Sequence, residues 1–313
     1  MQWEDRIGRR IKFRDLHIVL AVAQSGSMLK AAEALAISQP VVSKVIADLE
    51  QALGVRLFDR SRKGVEPTAS GRALLNRGRA AFDELKQGVK KIEFLNDPTA
   101  GELPIGCSPV LAEGIVLDAI DRLSRQYPRV VFHVEPGGTL ELRNALRERR
   151  VELGFARMVE LTSEDDIDQE ALFAEPLVVV AGVENPWVRR RKIKLAQLVN
   201  EPWTWPARGT ILDTLVIEAF RASGLEPPRA TVYADAVNMR TRLAATGPYL
   251  AVVAASIMRF PGMHASIKVL PVELPTTRRQ IGIITLKNRT LSPLAQLFIE
   301  FAREVAKPLV KRR

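Results

Sequence analysis

Between Phe13 and Leu53 apolar residues recur at helical spacing, but the run is broken twice within a short distance, at Gly26-Ser27 and at Ala36-Ile37-Ser38. Nothing else in the chain limits the fold so tightly. Phe13, Leu16, Val19, Leu20 and Ala23 share one face of a helix expected over residues 13–25. Gly26 suits the residue that stops it. Ser27 is a good N-cap for a second helix over 28–35. After a two-residue turn, Ser38 caps a third helix. Pro40 is tolerated in its first turn, where the N–H it lacks would be unpaired. On this helix Val42, Ile46, Leu49 and Leu53 form a stripe to be buried. Gln39, Val41, Ser43, Lys44 and Val45 fall on the other side. Two short helices joined by a tight turn, the second with a polar outer face, form a helix-turn-helix pattern.

Next comes "GVRLFDRSRKGVEPT". Val55, Leu57 and Phe58 suggest a short strand, residues 61–64 a turn, and residues 65–68 a return strand. Arg60, Arg62 and Lys63 crowd the tip. A basic hairpin placed here is a wing, able to lie along a phosphate backbone. Thr68 can then cap a long helix over 69–95. Leu75, Phe82 and Val89 repeat every seven residues along it, and so do Gly78, Leu85 and Ile92, which together make a heptad seam. Such a helix packs on its own domain or pairs with a second copy. Pairing is the expectation, because the helix lies between two domains with little nearby to cover it.

"NDPTAG", residues 96–101, is a linker: turn formers with no apolar residue larger than alanine. Beyond it strand and helix patterns alternate. Strands are expected at 103–107, 130–135, 152–156, 177–181, 231–234, 249–254 and 281–286. Helices are expected at 112–126, 140–149, 211–223, 237–246 and 293–310. The class is α/β with mainly parallel sheet. About 210 residues with two clusters of strands imply two lobes and a cleft.

The formal net charge is +10. The first 95 residues hold 17 Lys/Arg against 11 Asp/Glu, and the other 218 hold 29 against 25. The excess is denser at the amino-terminal end, which favours a polyanionic partner there. No apolar run approaches the ~20 residues of a membrane span. The opening "MQWEDRIGRR" has no apolar core of the secretory type, so neither secretion nor a membrane partner is expected. Cys107 is the one cysteine, which leaves no internal disulfide and fits a reducing, cytoplasmic setting.

Residues 13–75 closely resemble the amino-terminal domain of LysR-type transcriptional regulators. The resemblance rests on Gly26-Ser27, Ala31-Ala32, Leu35, Ser38-Gln39-Pro40, Ser43, Ile46, Leu49-Glu50, Leu53-Gly54, Leu57-Phe58-Asp59-Arg60 and Thr68-Ala69-Ser70-Gly71, all at the family's spacing. "GELPIGCSP" and "TGPYLAVV" sit where such regulators carry comparable segments, and the nearest subgroup includes the galactose-binding-protein and protocatechuate-pathway regulators. The resemblance implies a winged helix-turn-helix at 11–68, a dimerising linker helix at 69–95, a hinge at 96–101, and an effector-binding domain at 102–313 similar to type 2 periplasmic binding proteins. It implies a homodimer or homotetramer at the nucleoid, bound to an interrupted palindrome in promoter double-stranded DNA. It further implies a small-molecule effector between the lobes and contact with RNA polymerase.

For DNA the candidate residues are Ser27, Lys30, Ser38, Gln39, Pro40, Val41, Ser43, Lys44, Arg60, Arg62 and Lys63. Gln39 can hydrogen-bond an adenine edge in two places. Ser43 can reach a base or phosphate, Lys44 a guanine or phosphate, and the remaining cations phosphates. Val41 and Val45 either meet thymine methyls or pack against the wing or the neighbouring helix.

Effectors in open α/β sheets bind beyond the carboxyl ends of strands, beside helix N-termini. That selects Ser108, Val110, Gly138, Thr139, Arg157, Trp205, Arg208, Thr210 and Asp235. Arg157 or Arg208 can hold a carboxylate at two points, and Trp205 can stack on a ring or sugar face. The hydroxyls serve equally well as helix caps, and the tryptophans equally well as core. His17, His133 and His264 are scattered with no metal-ligand spacing, and there is no phosphate loop or nucleophile elbow. No enzyme activity, metal or cofactor is expected.

Overall fold

The computed structural model of the chain describes residues 11–61, 64–159, 166–259 and 265–310. Two compact units divide between Val89 and Lys90.

In the first unit come α1 (Phe13–Ser25), α2 (Met28–Ala34), α3 (Gln39–Leu53), β1 (Phe58–Ser61), β2 (Gly64–Pro67) and α4 (Ala69–Asn96), whose last turns run into the second unit. Gly26 closes α1 in the left-handed region at φ 63°. The Ser27 hydroxyl accepts the Lys30 N–H at 3.4 Å and so caps α2. Ser38 has the extended backbone of an N-cap, but its hydroxyl makes no capping bond. Ile18, Val19 and Val22 of α1, Ala31 and Ala32 of α2, and Val42, Ile46 and Leu49 of α3 are all buried in one core with Leu57, Phe58 and Leu75. On α3 the expected stripe is buried as far as Leu49, with Leu53 half-buried; on α1 the buried residues are Ile18, Val19 and Val22, so that of the expected stripe Val19 alone is buried and Phe13 is exposed.

The first wing strand begins at Phe58, three residues later than Val55 suggested. The Glu50 carboxylate takes the N–H groups of Leu57 at 2.7 Å and Phe58 at 3.2 Å, which holds that stretch as a turn. Val55 is left exposed. The two strands pair antiparallel, Phe58 against Pro67 and Ser61 against Gly64. The tip residues Arg62 and Lys63 lie outside the described residues. Thr68 caps α4 as expected: its hydroxyl donates to the Arg56 carbonyl at 2.7 Å and accepts the Gly71 N–H at 3.0 Å. At Gly71 the helix passes so close to Leu57 that a Cβ would overlap the Leu57 carbonyl oxygen.

Along the α4 seam, Leu75 and Gly78 are buried within the first unit, and Phe82 sets its ring edge-on to Phe13 at 4.9 Å. Farther on, Leu85, Val89, Ile92 and Leu95 are more than half exposed. The seam thus serves its own domain first and is bare afterwards.

The second unit continues through β3 (Ala100–Cys107), α5 (Pro109–Leu111), a π-helical turn Ala112–Val116, α6 (Leu117–Gln126), β4 (Arg129–Pro136), α7 (Thr139–Arg147), β5 (Leu153–Arg157) and β6 (Ile167–Glu175). After these come β7 (Leu177–Gly182), β8 (Trp203–Trp205), α8 (Ile211–Ala222), β9 (Val232–Tyr233), α9 (Val237–Ala245), β10 (Leu250–Ala254), β11 (Ile267–Val269), β12 (Arg279–Leu286) and α10 (Pro293–Val310). Two five-stranded sheets result, in the orders β4-β3-β5-β12-β6 and β11-β7-β10-β8-β9. Each backs a separate apolar core, one around Phe155 and Phe298, the other around Trp203, Trp205 and Phe220. These are the two expected lobes.

The sheets are mixed rather than mainly parallel. In the first, β3 runs parallel to β4 and β5, while β12 runs antiparallel to β5 and β6. In the second, β8 runs parallel to β9 and β10, while β7 runs antiparallel to β10 and β11. The cause is the path of the chain, which leaves the first lobe after β6 and returns to it as β12. The expected helix over 112–126 is split, because Gly114 takes the non-helical angles φ −131° and ψ −111°. The linker is shorter than 96–101, since Ala100 and Gly101 already pair with Arg129 and Val130. Asp97 braces the turn, accepting the Thr99 N–H at 3.0 Å and hydroxyl at 2.6 Å and pairing with Arg129 at 2.7 Å.

Candidate functional site

The amino-terminal end of α3 is the most open part of the helical core. Ser38, Gln39, Pro40, Val41 and Lys44 are all exposed, with Lys30 on α2 and Arg60 on β1 also exposed. The structure places Ser43, Ser27 and the two valines in more detail. The Ser43 hydroxyl turns inward onto the Met28 sulfur at 3.4 Å, so it faces the core. The Ser27 hydroxyl accepts the capping bond from Lys30 and keeps its own O–H to donate. Of the two valines, Val45 packs partly against the core, whereas Val41 keeps 37% exposure. Their difference follows from the helix: Val45 lies one turn deeper, where α3 is covered. Arg56, in the turn held by Glu50, is a further exposed cation that strand spacing did not single out.

Ser108, Thr139 and Arg157 come together at the carboxyl ends of β3, β4 and β5. The Ser108 N–H donates to the Phe155 carbonyl at 3.1 Å, and its hydroxyl makes no capping bond. The Thr139 hydroxyl donates to the Arg157 carbonyl at 3.4 Å, and Gly138 is the N-cap of α7. Arg157 is nearly buried and faces the Glu175 carboxylate at 3.5 Å. Burial weakens the hold of its guanidinium on its proton, and Glu175 partly restores it. Glu175 also accepts the Ser256 N–H at 2.8 Å, where β6 hands over to the second lobe. Val110 belongs to the core of that lobe, although it follows β3.

The expected residues of the second lobe are less open to a ligand. Trp205 is buried, its indole N–H donates to Asp213 at 2.9 Å, and its ring packs on Trp203 and Phe220. It is core, not a free stacking wall. Thr210 caps α8, donating to the Ala207 carbonyl and accepting the Asp213 N–H. Arg208 points outward over the Tyr233 ring, 4.5 Å from its centroid. Asp235 is exposed. Sequence spacing missed Arg240, which is fully buried beneath α9. The missing signal was the side of α9 that meets the sheet.

A groove of about 1200 Å³ runs between the π-helical turn and α9, lined by Ala112, Glu113, Leu117, Asn238, Met239 and Arg242 among others. Glu113 accepts a hydrogen bond from the Asn238 amide at 2.7 Å across it. None of the expected effector residues lines it. Cys107 is buried at the end of β3, and burial pushes its thiol up to about 11. Among the described residues no group of three or more His, Cys, Asp or Glu could hold a metal ion, and no helix is long and apolar enough to cross a membrane.

Residues 13–72 match the family model "Bacterial regulatory helix-turn-helix protein, lysR family", and residues 96–307 match "LysR substrate binding domain". The transcriptional regulator GbpR of Azospirillum brasilense is 26% identical over 97% of this chain and 89% of its own length. The transcriptional dual regulator GltC of Bacillus subtilis is 27% identical over 83% and 86%. Among solved structures, a cysteine-to-aspartate variant of full-length OxyR from Pseudomonas aeruginosa aligns with a TM-score of 0.71 at 22% identity, covering 97% of this chain and 99% of that one. Full-length CbnR complexed with its target DNA aligns with a TM-score of 0.55 at 23% identity, over 95% and 100%.

Proposed function

This chain belongs to the LysR family of bacterial transcriptional regulators, whose two domain models together match most of it, and on that premise we propose how its surfaces divide the work. The protein is a regulator and not an enzyme: its helix-turn-helix domain binds DNA and its substrate-binding domain responds to a small molecule.

The DNA-reading surface is the start of α3. The observation that carries this reading is that Ser38, at the N-cap, and Gln39, Val41 and Lys44, in the first turns of α3, stand exposed while Val42 and Ile46 are buried. Gln39 reads an adenine edge, Val41 meets a thymine methyl, and Lys30, Lys44, Arg60 and the wing cations Arg62 and Lys63 hold phosphates. Two α3 helices from a dimer then read the halves of an interrupted palindrome. The dimer forms along the bare stretch of α4, Leu85 to Leu95, and two dimers joined through their effector domains make a tetramer. The effector lies where Ser108, Thr139 and Arg157 converge, and changes the relation of the two lobes. That relation sets the spacing of the DNA-binding heads, the bending of DNA and the contact with RNA polymerase. An effector acts only through its differential affinity for the two states. The setting is the nucleoid in the cytoplasm.

Footprinting and titration on the chain's own upstream DNA test the first part. Gln39→Ala is expected to lower the ratio of specific to non-specific affinity by roughly 10–100-fold, as loss of a bidentate base contact worth ~1–3 kcal/mol does. Its salt dependence should be unchanged, whereas Lys44→Ala should flatten the salt slope by about one. Val41→Ser should lose affinity for a thymine site and little for the uracil version. Equal losses on both, or an unchanged specificity ratio for Gln39→Ala, would remove this face as the reader.

A further inference from the structure

Arg240 is the fourth residue of α9, has no exposed surface, and lies on the side of the helix away from the open groove. Its Nη1 donates to the Val252 carbonyl at 2.5 Å. Its Nε and Nη2 are buried and have no hydrogen-bond partner among the described residues. These two nitrogens form one straight edge of the guanidinium, the edge that grips the two oxygens of a carboxylate. Burial makes its charge unfavourable enough to bring its pKa down to about 10, with the exposed Asp235 opposing that through its charge. A guanidinium kept charged in such a place calls for a counter-anion.

Its location is that of a ligand group. Side chains on a helix lean toward its amino-terminus, and α9 begins just beyond the end of β9. Ala251 pairs with Thr204, so Val252 lies level with Trp205, the last residue of β8, which pairs with Tyr233, the last residue of β9. Arg240 therefore sits level with the carboxyl ends of β8 and β9, two residues short of the end of β10, near the edge where open α/β sheets bind ligands. The corresponding edge of the first lobe ends in Arg157, which is also nearly buried and has its Nη1 unpartnered among the described residues. Among those residues Glu175 is the one buried carboxylate paired with either of them. Two buried guanidinium groups against one carboxylate leave a positive excess at the strand ends.

We propose that the effector carries a carboxylate, which binds in two-point fashion on the Nε–Nη2 edge of Arg240. The inference rests on the reading that a small effector binds between the lobes, and it names the chemical class of that effector. The fork is covered on α9's own side by strands of the second lobe, β7, β8 and β10, so the acid enters only when α9 shifts on that sheet. A second polar group of the same molecule is placed to reach Arg157, Ser108 or Thr139 in the first lobe.

Thermal melts of the full chain test this, run with sodium acetate, succinate, benzoate and sulfate at matched ionic strength, and with glucose and acetamide as neutral probes. At least one carboxylate should raise Tm saturably, by about 2 °C or more. Arg240→Met should abolish that shift while leaving the ligand-free Tm equal or higher, since a purely structural arginine would lower it. Should the methionine variant not fold, Arg240→Lys keeps the charge but lacks the fork, and its half-saturating concentration should rise at least tenfold. A carboxylate shift that persists in Arg240→Met or is unaltered in Arg240→Lys overturns the assignment. So does a saturable shift with glucose or acetamide alone, accompanied by a changed DNA footprint, an outcome that leaves the effector reading standing. Absence of any shift or footprint change with every probe tells against both.

Discussion

Gly71 and Cys107 show how single positions are fixed by what surrounds them. A Cβ at Gly71 would overlap the Leu57 carbonyl oxygen, backbone that cannot swing aside. Gly71→Ala should therefore destabilise the helix-turn-helix unit by about 2 kcal/mol or more, at the upper end of ordinary overpacking, read as a lower urea midpoint in chemical denaturation. Thr68 and Gly71 were legible together as a family pattern, but the reason for the glycine is a contact across the fold. At Cys107 burial disfavours the thiolate, so the thiol stays protonated well above neutral pH. A disulfide reagent at pH 8 should leave the native chain unmodified and react once it is unfolded. Rapid native labelling at pH 8 would contradict that burial. The placements of Val41 and Val45 were left open by the sequence, because helical periodicity does not say how far the covering elements extend along α3.

At the scale of elements, α1, α2 and α3 were legible nearly to the residue. Their bounds, Gly26 and the capping Ser27 are local signals that agree with the packing, while the α1 stripe is offset, with Ile18 and Val22 buried and Phe13 exposed. The wing was found but its first strand was placed too early, since a carboxylate from α3, that of Glu50, holds the turn at Leu57 and Phe58. α4 carried a seam by its spacing, and the structure divides it. Leu75, Gly78 and Phe82 serve the domain itself, while Leu85, Val89, Ile92 and Leu95 stand bare. Val89→Asp, which puts a charge in the middle of the bare stretch, is expected to shift the full chain toward monomer in sedimentation and to weaken operator binding at least tenfold. A dimer unchanged by this substitution would place the pairing surface elsewhere.

For the molecule as a whole, the chain's crossing between the two lobes is braced by a buried ion pair. Glu175 accepts the Ser256 N–H from the second lobe and faces Arg157 of the first. Glu175→Gln removes the charge opposite a buried guanidinium, which costs about 3–5 kcal/mol when a buried pair is broken. The melting temperature of the full chain should fall, and the effector response should change with it. An unaltered melt would show that Arg157 finds its counter-charge elsewhere. The mixed sheets belong to this scale too: strands were recognised as apolar runs, but their direction is set by how the chain passes out of one lobe and back.

The helix-turn-helix, the wing, the long helix and the alternation of strands and helices could all be read from the chain without its coordinates, because they rest on periodicity, caps and turn residues within a few positions of one another. So could the family, through motifs at fixed spacing over residues 13–72. It took the folded molecule to establish that Trp205 is core, that Ser43 faces Met28, and that Arg240 lies buried with one edge unpartnered among the described residues. Each of these depends on which face of an element meets a segment far away in sequence, and a side chain's partners at that distance leave no mark in its local pattern.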